Sequence, residues 1–178
     1  VQIGSSQKPI HRISLRPNAG HVSEEISEAI HGADMLILGP GSLYTSIIPN
    51  LLIEGMVQAV TSSKAKVVYI CNVMTQPGET EGFNVEDHVK AIEDHAGASL
   101  IDVVVVNDKN IPAELVTKYR KSGSSTVLFK NREDLKARKR IVEAPMISTR
   151  NFVRHDPEKL ADIILDIAGR ETKTCLLY

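Results

Sequence analysis

The sequence is poor in cysteine, in long apolar runs and in charge of one sign. Cys71 and Cys175 are the two cysteines among 178 residues. They have no metal-ligand spacing and no disulfide framework around them, which points to a reducing cytoplasm rather than to secretion. No apolar run approaches the roughly 18 residues of a membrane-spanning helix, and no signal-peptide pattern follows Val1. Formal net charge is −1, so the chain carries neither the basic footprint of a nucleic-acid binder nor an electrostatic membrane anchor. Repeats, linkers and low-complexity tracts are also missing. What remains is an ordinary globular composition, 42% hydrophobic and 24% charged, at the size of one domain with a buried core. The chain opens on Val1 rather than Met, which predicts a piece of a longer protein.

The most informative stretch runs from Asp34 to Asn50. Met35 to Leu38 form a short, continuously apolar run, as expected of a strand covered on both faces of a parallel sheet. It turns abruptly into Gly39-Pro40-Gly41-Ser42 and then into a turn over 43–48. Pro49 opens a helix with Leu51, Leu52, Met56, Val57 and Val60 on its buried side. Gly39 and Gly41 permit backbone angles that side chains forbid, while Ser42, Tyr44, Thr45 and Ser46 crowd the mouth of the following helix. Backbone N–H groups at such a mouth attract anions. Since the pattern is neither the P-loop nor the dinucleotide fingerprint, a phosphate site and a tight turn with a Ser cap both stay open.

Lys66 to Cys71 read as the next strand, and Asn72 to Gly82 as a polar loop directly after it. Loops at the carboxyl ends of parallel strands share a rim where ligands bind. Asn72, Thr75, Gln76 and Thr80 are therefore candidates for reading neutral ligand groups, although Asn, Pro and Gly are equally turn residues. Ile101 to Asn107 form the strongest strand and place Asn107 and Asp108 on the same rim.

Around these strands, Val22–Ile30 reads as a helix capped by Ser23. A second helix over 84–96 is capped by Asn84, a third follows Pro112, and the last is capped by Asp156 with Pro157 first. Residues 10–15 and 126–129 read as short strands, 132–138 as a charged turn or helix and 140–144 as a final strand. His88 and His95 are expected to be solvated surface residues rather than metal ligands, Tyr119 a half-buried packing residue, and the Lys/Arg excess over 136–140 a solvated face. Arg154 stands just ahead of the last helix, where it can pair with Asp156. Strands alternating with helices define one α/β domain, a Rossmann-like three-layer arrangement on a mostly parallel sheet.

Four segments together, 39–52, 71–80, Asp87-His88 and 153–157, resemble the bacterial gluconeogenesis factor family, within the broader 2-phospho-L-lactate transferase family. The resemblance covers nearly all of residues 10–168. It implies a Rossmann-like fold, a cytoplasmic location, and binding of UDP-sugars such as UDP-N-acetylglucosamine. It also implies roles in growth on gluconeogenic carbon sources and in cell shape and wall synthesis, with a wall-synthesis protein or a second copy of the chain as partner. Among the family's sugar-nucleotide contacts it carries over Arg154 and, by approximate spacing, Tyr119. The transferase branch moves a phospholactyl-type group from a guanosine diphosphate donor, and that reading adds Mg²⁺ as a cofactor.

Family members begin with a strand and a glycine-rich nucleotide loop that this sequence does not show. Residues 1–178 are accordingly expected to be the C-terminal portion of the family fold as a single α/β domain. No nucleophile–base arrangement is legible, and the rim carboxylates Glu79 and Asp108 do not form a convincing pair. Regulatory binding without turnover is therefore the favoured expectation, ahead of a transferase and of a plain interaction module. The expected ligand contacts are Gly39, Gly41, Ser42, Tyr44, Thr45, Ser46, Asn72, Thr75, Gln76, Asn107, Tyr119 and Arg154, with no metal.

Overall fold

A computed structural model describes residues 10–16, 20–149 and 152–169, and the backbone of 174–177. Five parallel strands form its main sheet: β1 (Met35–Leu38), β2 (Lys66–Ile70), β3 (Val103–Asn107), β4 (Arg140–Ala144) and β7 (Thr174–Leu177). Their order is β4-β3-β2-β1-β7. Leu36, Leu38, Val67, Tyr69, Val104 and Val106 point into one core, and Met35, Ile37, Val68, Ile70, Val103 and Val105 into another. This alternation explains the unbroken apolar runs: a side-chain period of two sends successive residues to opposite faces, and here both faces are covered.

The first face packs against helices α2 (Ile48–Leu51), α3 (Met56–Ser62) and α4 (Val85–Ala96) through Ile48, Leu51, Val60, Val89 and Ile92. The opposite face packs against α5 (Ala113–Lys121), α7 (Pro157–Ala168) and a small antiparallel pair, β5 (Ile147–Ser148) with β6 (Arg154–His155). Helices on both sides of a parallel sheet make the three-layer Rossmann-like α/β fold that the strand–helix alternation predicts. α1 (Glu24–His31) and α6 (Arg132–Lys136) complete the helices.

Local signals set the helix ends. Ser23 Oγ accepts from the Ile26 N–H, Asn84 and Asp87 close a reciprocal capping box, and the Asp156 side chain accepts from the Lys159 N–H. Other expectations fail for non-local reasons. Residues 10–15 join no ladder: the Ile13 N–H donates to His95 Nε2 at 3.1 Å, and the Ile10 carbonyl accepts from the Tyr44 hydroxyl at 3.2 Å. Residues 126–129 make one isolated bridge, Thr126 to Met74, because their backbone bonds go to the loop after β2. The helix expected from Pro49 to Val60 is broken by Gly55 at φ +85°, and the turn over 43–48 is a π-helical turn, Leu43–Ile47, running into α2. β7 has no counterpart in the sequence reading.

His88 and His95 are not solvated. Both are buried on the core face of α4, because a spacing of seven is two helical turns and repeats the Val85–Val89–Ile92 face. His88 Nδ1 donates to the Asn84 carbonyl at 2.8 Å, which leaves Nε2 buried without a partner. Burial, partly offset by the bond at Asn84 and by Asp87, pushes the ring's pKa down. In the unfolded chain a histidine titrates near 6.5, so the stability gained with a neutral ring is complete above that value and is lost as pH falls through the lower folded one. The urea midpoint is expected to fall between pH 7 and pH 5. His88→Gln should flatten part of that decline, and an unchanged pH slope would exclude His88 as its source.

Lys139 also departs from the solvated-face expectation. It is buried, with Nζ 2.7 Å from both Glu93 Oε1 and Ser99 Oγ. The charge pattern of 136–140 conceals this, because the partners lie on α4 and the loop after it.

Candidate functional site

The loop after β1 begins with a glycine that no other residue replaces easily. Gly39 has φ +84°, and a Cβ there would stand 3.2 Å from the Ile70 carbonyl oxygen and 3.2 Å from Ile47 Cδ1. It presses the loop back onto the end of β2, so its role is to set the loop's course. Gly39→Ala is expected to cost about 1–3 kcal/mol of stability, the usual penalty of a strained backbone position. Urea denaturation reads this directly, and a loss below a few tenths of a kcal/mol would show that the loop relaxes freely.

Beyond Gly39 the loop meets the one after β2. Gln76 Nε2 donates to Ser42 Oγ at 2.7 Å, and the Gln76 N–H donates to Thr80 Oγ1 at 2.9 Å. The third wall comes from the opposite helical layer. The Tyr119 hydroxyl on α5 accepts from the Val153 N–H at 3.1 Å and donates to the Val153 carbonyl at 3.4 Å, fixing the segment that carries Arg154 and His155. A cleft of about 320 Å³ opens between these walls. Gly41, Ser42, Asn72, Gln76, Tyr119 and Arg154 line it, together with Pro40, Val73, Met74, Val153 and His155. Asn72 and Val73 also border an adjoining cleft of about 220 Å³ at the ends of β2 and β3, where Asn107, Asp108 and Lys109 sit.

Six of the twelve candidate contacts thus share one cleft, while the others lie elsewhere. Tyr44 is buried with its hydroxyl on Ile10, and burial raises its pKa. Thr75 is buried, its hydroxyl accepting from the Ser125 N–H at 2.8 Å. The Ser46 carbonyl accepts from Asn50 Nδ2 at 2.6 Å, and Thr45 is exposed beside Glu79. Gly39 forms the loop's base. Asn107 donates to the Lys109 carbonyl at 2.8 Å and keeps Oδ1 buried without a partner, in the second cleft.

The charge in the main cleft comes from Arg154, which is exposed and pairs with no carboxylate among the described residues. Asp156 does not take it: that carboxylate caps α7 and lies 3.8 Å from Lys159 Nζ. His155 also lines the cleft, beyond the twelve candidate contacts. Its position at the end of a strand, immediately before a helix cap, is the signal that could have found it. Burial lowers its pKa, partly offset by a backbone hydrogen bond at Cys71, and its Nε2 is buried without a partner.

Neither rim carboxylate, Glu79 nor Asp108, lines the main cleft. Burial raises the Glu79 pKa against hydrogen bonds from the Tyr44 backbone and the Thr45 side chain. Asp108 belongs to the second cleft, and among the described residues no three His, Cys, Asp or Glu gather to hold a metal ion. The Cys71 thiol, buried under β2, is pushed up to about 12 by desolvation and is no nucleophile at neutral pH.

Fold and cleft together define a doubly wound α/β protein with a cleft at the carboxyl ends of its central strands that carries the Arg154 guanidinium. The chain belongs to the 2-phospho-L-lactate transferase CofD family, whose model matches residues 1–147. It is 42% identical over 160 residues to the gluconeogenesis factor of Bacillus subtilis, covering 89% of this chain and 50% of that protein. To the gluconeogenesis factor of Halalkalibacterium halodurans it is 39% identical over 166 residues, covering 92% and 51%. A crystal structure of a UPF0052 family member from Bacillus halodurans superposes with a TM-score of 0.87 at 38% identity, covering 92% of this chain and 53% of that one. The chain thus spans about half the length of each of these relatives. Among the described residues no helix is long and apolar enough to cross a membrane.

Proposed function

We propose that this chain forms the cleft of a cytoplasmic regulatory protein that binds a UDP-sugar such as UDP-N-acetylglucosamine without turning it over. The bound state would act in gluconeogenic growth and in cell shape and wall synthesis, through a protein partner or self-association. The observation that carries the reading is Arg154, a guanidinium without a carboxylate partner among the described residues, lining one cleft with Tyr119 and the Gly41–Ser42 loop. A guanidinium fork suits the paired oxygens of a diphosphate, and backbone N–H groups at a glycine turn add to it. Because the Tyr119 hydroxyl donates its one proton to the Val153 carbonyl, it has none to give a sugar hydroxyl, which favours its ring stacking on the base. Relatives named gluconeogenesis factor support the physiological part.

The family's transferase description favours a second reading, a group transfer from a nucleoside diphosphate donor with Mg²⁺. The carboxylates described here do not by themselves compose a site for that ion. Calorimetric titration of UDP-N-acetylglucosamine into the full-length protein, followed by chromatography of the ligand after several hours, separates the two. Saturable binding with intact ligand is expected. Absence of binding, together with consumption of a guanosine diphosphate donor, would establish the transferase reading instead.

A further inference from the structure

Phe152 is 46% exposed and immediately precedes Val153 and Arg154, which line the main cleft, an unusual place to leave an aromatic ring uncovered. Two cations flank it: Lys118 Nζ lies 4.2 Å from the ring centroid and Arg154 Cζ 5.4 Å from it. Those distances hold the two charges within about 10 Å of each other, the screening length at 0.1 M salt. Neither cation pairs with a carboxylate among the described residues. The arrangement is held from behind as well. Lys118 precedes Tyr119 on α5, Val153 lies between Phe152 and Arg154, and the two hydrogen bonds of the Tyr119 hydroxyl clip those segments together. Like charges brought together repel, and the ring's negative face offsets only part of that. A polyanion seated between them removes the repulsion and gains both attractions.

We propose that Lys118 is a second cation of the diphosphate subsite and that Phe152 is the positioning residue that holds it beside Arg154. This rests on the nucleotide-binding reading above and adds what that reading lacks, a second cation set apart from Arg154 so that each phosphate of a diphosphate can meet its own charge. A lysine contributes here as a movable point charge and Arg154 as a planar fork, so the pair can follow a flexible diphosphate better than either alone.

The test is calorimetric titration of UDP and of UMP into the full-length protein at 50 and 200 mM salt, using wild type, Lys118→Gln, Phe152→Ala and Phe152→Tyr. Lys118→Gln is expected to weaken UDP about tenfold, the value of one charge-assisted contact, to weaken UMP less, and to shallow the salt dependence of UDP binding. Phe152→Ala should reproduce part of that loss, and Phe152→Tyr should restore wild-type affinity, because the tyrosine ring keeps the cation-binding face. Melting temperatures should be unchanged, since both side chains are exposed. The proposal is overturned if Lys118→Gln binds UDP with wild-type affinity and salt dependence. If the wild type still binds UDP saturably, that outcome leaves the nucleotide reading intact. A wild type that binds neither nucleotide removes both.

Discussion

Arg154→Ala is expected to weaken UDP-N-acetylglucosamine binding by about 30-fold or more without lowering the melting temperature. The first half follows from charge and shape. A charge-assisted hydrogen bond contributes about 1.5–3 kcal/mol, and a guanidinium facing a diphosphate can make two in a fixed fork. The second half follows from what Arg154 touches. It is exposed, pairs with no described carboxylate, and contacts Phe152 at a geometry that contributes only about 0.5–1 kcal/mol at such a site. Lysine restores the charge but not the fork, so Arg154→Lys should recover part of the affinity. Calorimetry on the full-length protein, paired with thermal melting, reads both quantities. Wild-type affinity in Arg154→Ala would return this residue to the role of a helix-end side chain. A lower melting temperature would show that its loss disturbs β6 and α7 rather than a ligand contact.

Lys139→Met is the substitution expected to damage the fold most. It removes the cation of a buried pair and leaves Glu93 with the Ser99 hydroxyl and the Ile101 N–H as its remaining donors. An uncompensated buried charge of this kind costs about 3–5 kcal/mol, enough to unfold a marginal domain near physiological temperature. The double variant Lys139→Met/Glu93→Leu separates the cost of the orphaned charge from the value of the pair. If desolvation cancels most of the attraction, it should recover most of the lost stability, because an apolar replacement of a buried ion pair is often neutral. A single variant as stable as wild type would mean that water reaches Glu93 and the pair contributes nothing. Both measurements are urea melts at pH 7.

Much of the architecture was legible because its causes are local. An unbroken apolar run such as Met35 to Leu38 requires a sheet covered on both faces, and Ser23, Asn84 and Asp156 cap helices through bonds spanning three residues. The rim was legible as well, since strand ends carry their loops with them. Placement within the rim was not. Thr75 and Asn72 sit three residues apart in one polar loop, yet the first is tied to Ser125, fifty residues away, while the second borders both clefts. The lack of a third ligand near His88 and His95 argues against a metal site but says nothing of their burial, which helical phase sets, and Lys139 reads as solvated because Glu93 is remote in sequence.

The sequence by itself determined the three layers, the runs of β1, β2, β3 and β4, the helix caps and a polar rim after β1, β2 and β3, because periodicity and capping depend on neighbours within one or two turns. Only the tertiary structure decided which rim residues meet, that Tyr119 and Val153 lock two distant segments across 34 residues, and that Asp156 caps α7 rather than pairing with Arg154. The physical reason is that a cleft exists where backbone segments from separate layers stop short of each other, and no local pattern encodes that distance.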